Sequence, residues 1–164
     1  MGLAAAHDLD HTDADASPGP GGTPIANTIL NPYLSFHDNA REVMEFYKSV
    51  FGGELSVSTF GEYQASQDPA EQDKVMHAML TTDSGMVLMA ADTPTGMDLN
   101  VGDNISVSLS GADEAELRRY WDGLIDGGTV AMPLEKAPWG DTFGMCADKF
   151  GINWLVNVTE APAS

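Results

Sequence analysis

The sequence predicts an α+β domain made of two βαβββ units, and three observations predict it. Two stretches about 75 residues apart look like variations on one another, which is the mark of a duplicated supersecondary unit. Each stretch holds a strand, a helix of about four turns and a Gly-Gly stop: Gly52-Gly53 in the first copy and Gly127-Gly128 in the second. Strand-like runs follow each copy.

The first unit starts with a strand from Ile29 to Phe36. Asn39 with Glu42 three residues on has the form of a capping box. Ala40, Val43, Met44, Tyr47, Val50 and Phe51 then follow the 3.6-residue period of a helix. Glu54 to Phe60 reads as a strand and polar Gly61 to Asp73 as a loop. Val75 to Thr82 and Met86 to Ala91 form a hairpin across Asp83-Ser84-Gly85, a good turn sequence. Pro94 to Asp103 is a link rich in Gly and Asp.

The second unit opens with clean alternation. Ile105, Val107 and Leu109 take one face, and Ser106, Ser108 and Ser110 take the other. Asp113 with Glu116 repeats the capping signal, and Leu117, Tyr120, Trp121 and Leu124 form an apolar stripe. Thr129 to Leu134, Phe143 to Ala147 and Ile152 to Val158 read as three further strands. The units span about 25–93 and 103–158, within one domain of residues 25–164.

Residues 1–24 are a separate zone. They carry Asp8, Asp10, Asp13 and Asp15, no Lys or Arg, and then Ser17-Pro18-Gly19-Pro20-Gly21-Gly22. This composition predicts a disordered acidic tail. His7 and His11 have metal-ligand spacing only if the tail is helical, and a solvated tail is the expectation.

The chain has 164 residues, 43% of them apolar, enough to bury one core. Its 25 acidic and 7 basic residues give a net charge of -18. That argues against nucleic-acid and anionic-membrane partners, since a polyanion gains nothing from an acidic surface. Cys146 is the single cysteine, so no intramolecular disulfide forms. No apolar run approaches the ~20 residues of a membrane span, and the N-terminus lacks a basic n-region. A cytoplasmic protein is expected.

Several segments together point to a family. They are Asn31-Pro32-Tyr33-Leu34-Ser35-Phe36, Glu45-Phe46-Tyr47-Lys48-Ser49-Val50-Phe51-Gly52-Gly53, Trp139-Gly140-Asp141-Thr142-Phe143-Gly144 and Asp148-Lys149-Phe150-Gly151-Ile152-Asn153-Trp154. In this order and spacing the chain resembles the PhnB-like branch of the vicinal oxygen chelate superfamily, with glyoxalase I, bleomycin-resistance proteins and extradiol dioxygenases. PhnB-like sequences are often labelled demethylubiquinone methyltransferases, but no Gly-rich loop opens a helix after a strand here. The resemblance implies that each unit curls into a partial barrel and that two units enclose a cavity. It also implies a homodimer and, in many members, a divalent metal that polarises substrate oxygens.

The resemblance places Asn31, His77, Asn104 and Leu155 at the four metal-ligand positions. Only His77 is a good ligand, and Leu155 stands where a metal-binding member carries Glu. No metal or other cofactor is therefore expected. His77 is either a half-buried strand histidine bonded to a neighbour or a pocket-facing group that binds substrate oxygen or moves a proton. Trp139 forms either a cavity wall or a packing contact with the other unit. Asp141 is either a polar contact at the cavity mouth or a turn cap. Phe36, Phe60, Tyr63 and Trp154 are further lining candidates that serve equally well as core. Cys146, among apolar neighbours, reads as a buried inert thiol.

The function expected is binding of a small apolar or aromatic molecule without a complete metal site. The alternative is a divalent-metal lyase, isomerase or dioxygenase.

Overall fold

The computed structural model describes residues 28–160, so the acidic tail at 1–24, with His7 and His11, lies outside the described residues. The elements alternate as expected: β1 (Tyr33–Phe36), α1 (Ala40–Phe51), β2 (Glu54–Thr59), β3 (Val75–Thr81), β4 (Val87–Asp92), then β5 (Val107–Gly111), α2 (Glu114–Ile125), β6 (Thr129–Lys136), β7 (Thr142–Ala147) and β8 (Asn153–Val158). Each unit makes one four-stranded sheet, in the order β1-β4-β3-β2 and β5-β8-β7-β6. In both, the first strand pairs in parallel with the last, and the other pairs are antiparallel.

The helices bury the stripes their spacing defines: Ala40, Val43, Met44 and Tyr47 in α1, and Leu117, Tyr120, Trp121 and Leu124 in α2. Asp113 caps α2 by accepting from the Glu116 N–H at 3.0 Å. The expected Asn39 cap of α1 is not formed, because a better acceptor arrives from the sheet. The buried Asp92 carboxylate at the end of β4 takes the Ala40 N–H at 2.9 Å and the Val75 N–H at 2.8 Å. A carboxylate from 52 residues away thus does the work of a local cap and ties helix to strand.

Both Gly-Gly stops serve close packing. A Cβ on Gly53 would collide with the Thr81 carbonyl, and one on Gly128 with the Ala147 carbonyl. Gly53 also sits at φ +90°, open to glycine at little cost.

The sheet hairpins repeat as well. In Thr82–Met86 the Thr82 N–H donates to the Met86 carbonyl and Thr82 Oγ1 accepts from the Met86 N–H. In Asp148–Ile152 the Asp148 N–H donates to the Ile152 carbonyl and Asp148 Oδ1 accepts from the Ile152 N–H. The copies differ in reach. Thr82 has one oxygen, used locally. Asp148 has a second, Oδ2, which accepts from Tyr47 Oη at 2.6 Å and Trp154 Nε1 at 2.9 Å.

Tyr47 belongs to α1, so this carboxylate joins the two units. Around it the Tyr47 and Trp154 rings meet edge-on at 5.5 Å, and Phe51 packs on Tyr120 at 5.1 Å. One core results, shared by both units and set on the helix side of each sheet. From Asn31 onward the chain is one compact unit.

Asp148 is only 4% exposed and holds donors on both oxygens, as a buried charge requires. Tyr47→Phe removes one donor and is expected to cost about 1.5–3 kcal/mol, the range for a hydrogen bond to a charged group. Urea unfolding at neutral pH measures it. A loss under about 0.5 kcal/mol would show that the pair contributes little.

Candidate functional site

With the core on the helix side, the opposite face of each sheet is left open. Strand parity and register fix what that face carries. Across the first sheet, Tyr33 stands opposite Met89, Met89 opposite Met79, and Met79 opposite Ser56. One row along lie Ser58 and His77, which are paired. Across the second sheet, Ser108 stands opposite Leu155, Leu155 opposite Met145, and Met145 opposite Met132. The next row holds Ser110, Asn157, Phe143 and Glu135. Tyr33 is 49% exposed, Met79 37% and Met132 46%, so these rows lie bare.

His77 is on this open face and half-buried. Its Nδ1 lies 3.4 Å from Tyr33 Oη, and the two rings are 5.7 Å apart. β4 runs between their strands, so the two side chains meet across β4. Partial burial pushes the Tyr33 phenol above its ordinary range. Val75, two residues before His77 on the same strand, is buried, because the ladder shifts between Ser58 and Thr59.

The other lining candidates lie in different places. Phe36 is buried in the core cluster. Trp154 is 2% exposed in the same core, yet it also edges a cleft of about 170 Å³ between the units, with Phe51, Leu80, Leu88 and Leu109. Phe60 closes the loop after β2, its N–H on the Lys74 carbonyl. Tyr63, 62% exposed, lies further along that loop. Trp139 is 64% exposed and meets the edge of Phe143 at 5.8 Å, beside the second open face. Asp141 Oδ2 accepts from Asn157 Nδ2 at 2.9 Å and Oδ1 from the Glu160 N–H at 3.1 Å. The Asn157 hydrogen bond, then the Glu160 N–H, hold its carboxyl below the usual range. Among the seven sequence candidates, His77 and Asp141 thus reach the open faces, the latter through Asn157.

Sequence reasoning missed the paired methionines, although the Asp83-Ser84-Gly85 turn fixes the register that sets Met79 against Met89. It also missed Glu71. This buried residue accepts from the Thr95 N–H and from Ser66 Oγ, and so straps the 61–74 loop to the segment after β4. Nothing local in sequence marks that contact. Cys146 is buried, and burial followed by the Asp148 charge pushes its thiol up to about 11.

The divalent metal implied by the fold does not fit these residues. Among the described residues no three His, Cys, Asp or Glu side chains converge on a point. Of the four family positions, Asn104 lies exposed before β5 and Leu155 presents hydrocarbon. Only His77 brings a strong donor.

Residues 28–157 match the family described as 3-demethylubiquinone-9 3-methyltransferase. The chain belongs to that family. Its solved relatives include a PhnB protein, in keeping with the expected PhnB-like resemblance. Protein PA1353 from Pseudomonas aeruginosa is 36% identical with a TM-score of 0.67, over 80% of this chain and 97% of that one. A PhnB protein from Bacillus cereus, described as a putative 3-demethylubiquinone-9 3-methyltransferase, is 26% identical with a TM-score of 0.63, over 79% and 98%. Protein YjdN of Escherichia coli is 29% identical over 80% of this chain and 95% of its own length. A glyoxalase/bleomycin resistance protein/dioxygenase domain from Frankia, at 14% identity and a TM-score of 0.58, shares the fold. No described helix is long and apolar enough to cross a membrane.

Two carboxyls of this PhnB-like chain set an acid limit. Hydrogen bonds from Thr95 hold Glu71 below its ordinary range, as those from Asn157 hold Asp141. A carboxyl depressed by folding adds stability above its unfolded pKa and loses it as pH falls through the folded value. Stability should therefore decline from about pH 5 downward, and less steeply in Glu71→Gln, which has no such proton to take up. Urea midpoints from pH 7 to pH 3 test this. Identical slopes in wild type and variant would refute it.

Proposed function

We propose that this PhnB-like protein is a cytoplasmic binding protein for a small, neutral, apolar or aromatic molecule, held between the open sheet face of one protomer and that of a second copy. The observation that carries the reading is the pair of bare faces lined by Tyr33, Met79 and Met89 on one sheet and by Phe143, Met145 and Leu155 on the other. A contiguous apolar face is expensive to leave in water, and a second chain that covers it also closes a cavity. Trp139, Phe60 and Tyr63 serve as walls at its rim, and Asp141 orients Asn157 toward the ligand. Phe36 and Trp154 support the sheets from behind.

Charge selects the ligand class. None of the seven basic residues lies on an open strand face: Arg41 and Lys48 are on α1, Arg118 and Arg119 on α2, Lys74 in the loop beside Glu71, Lys136 against Glu160, and Lys149 over the Phe46 ring. The charged strand residues that share these faces are Glu54 and Glu135. A phosphorylated or carboxylated ligand finds no partner there.

Methyl transfer, the activity in the family description, finds little support. His37-Asp38-Asn39 opens α1 without a glycine, and Gly111-Ala112-Asp113 opens α2 with one, so neither turn makes a glycine-rich cradle for a nucleotide donor. The incomplete ligand set likewise weighs against a divalent-metal lyase, isomerase or dioxygenase.

Light scattering should return twice the chain mass at micromolar concentration. Nile red, a neutral aromatic dye, should bind, and the anionic dye anilinonaphthalenesulfonate should bind more weakly. Leu155→Glu should abolish Nile red binding, and His77→Ala should weaken it by about 0.5–1.5 kcal/mol, the net worth of one neutral hydrogen bond. EDTA should change neither affinity nor melting temperature. A monomer with no dye binding overturns the proposal. An EDTA-sensitive affinity that vanishes in His77→Ala restores the metalloenzyme.

A further inference from the structure

His77, Met79 and Met89 form a set of soft donors on one sheet, and it goes beyond the cavity reading. His77 and Met79 are two residues apart on β3 and so share a face. Met89 on β4 is directly opposite Met79 in antiparallel register, which sets their Cβ atoms about 4.5–5.5 Å apart. The His77 and Tyr33 side chains meet across β4, where Tyr33's own cross-strand partner is Met89. Met89 therefore stands on the strand that separates His77 from Tyr33. Two thioethers and one imidazole thus stand on the same face of adjacent strands.

None of the three is spent on the core. Met79 is 37% exposed, Met89 and His77 are half-buried, and none belongs to the buried cluster under α1. Met has three rotatable bonds and a polarisable sulfur, so both thioethers can turn to a common centre. Tyr33 Oη lies 3.4 Å from His77 Nδ1. When Nδ1 carries the proton and donates to that oxygen, the Nε2 lone pair is free and directed away from Tyr33.

We propose that His77 Nε2, Met79 Sδ and Met89 Sδ bind a soft monovalent cation of the Cu(I) class, with Tyr33 orienting the imidazole. Thioether and imidazole suit Cu(I), whereas Zn²⁺ and Mg²⁺ require thiolate, carboxylate or several imidazoles. The set is the inverse of the divalent site that the fold implies and these residues do not fit: it has no carboxylate and two sulfurs. The net charge of -18 favours any cation over any anion at this surface. Binding forms dative bonds only, with no change of oxidation state. Its donors lie on one wall of the proposed cavity, but binding needs only this one sheet of one protomer and not the second copy.

The test uses Ag(I), a redox-inert stand-in for Cu(I), on the full chain labelled with ¹³C at the methionine methyls. A Cys146→Ala background removes the thiol. One equivalent of Ag(I) should shift the Met79 and Met89 methyls and the His77 ring signals first among all sites. Met79→Leu with Met89→Leu keeps the volume and should weaken binding at least about tenfold. Tyr33→Phe should weaken it by a similar or smaller factor, since outer-shell partners are typically worth about 10–100-fold. Zn²⁺ at the same concentration should leave the methyls unmoved. The proposal fails if other methionines shift first, if the double Leu variant binds as tightly as its parent, or if Zn²⁺ displaces the silver. Loss of Nile red binding in Leu155→Glu with Ag(I) binding intact separates this site from the cavity.

Discussion

The fold depends on where one carboxylate points. Asp148 lies in a turn between two strands, a place where an acidic side chain ordinarily meets water. Here it turns inward and accepts from the Phe150 and Ile152 N–H groups on one oxygen and from Tyr47 and Trp154 on the other. A buried charge is tolerable only when its acceptor sites are filled, and Tyr47 is supplied by the other unit. The Tyr47 phenol is in turn held far above its ordinary range by burial and by the Asp148 charge, so it stays a donor at every working pH. This joint draws α1 against β8 and fixes the core between the units on their helix sides. The bare opposite faces follow from that.

Close helix packing continues the same constraint. Val50 of α1 presses on Gly123 of α2, where an added Cβ would meet the valine methyls at 3.0 and 3.1 Å. Gly144 plays this part within the second unit, where the Trp121 ring and the Leu134 backbone leave no room for a side chain. Neither glycine has a positive φ, so what each supplies is space. The two units are alike in topology and unlike in side chains at the seam, and the unlikeness is what lets them join face to face.

Much of the fold was legible because it is written locally. Periodicity gave both helices, and turn chemistry gave the hairpin at Asp83-Ser84-Gly85 with its register. The errors fall where a distant group wins over a local one. Asn39 was a plausible cap until Asp92 arrived from β4. Ile105 continues the alternation of Val107 and Leu109, yet it lies outside β5 and 79% exposed, since its neighbours find no partner strand. β1 likewise starts at Tyr33, where its pairing with Met89 begins, and not at Ile29. The site was less legible. Parity put His77 on a face, but which face the core would claim depended on the helices. Trp154 and Phe36 could be read as lining or core with equal justice, and the Asp148 joint decides the first. The methionines were passed over because singly they look like core; only as a cross-strand pair on the bare side do they gain meaning.

The charge pattern closes the argument. A chain of net charge -18 repels its own copies at long range, yet the open faces hold almost none of that charge. Repulsion between exposed charges decays over a Debye length of about 8 Å at physiological salt, whereas apolar burial acts at contact. In the proposed pairing, copies are kept apart in random orientations and gain only where the two bare faces meet. On that proposal acidity acts as a filter on how copies associate, and the same sparing of charge that would permit the meeting would leave a space suited to neutral molecules.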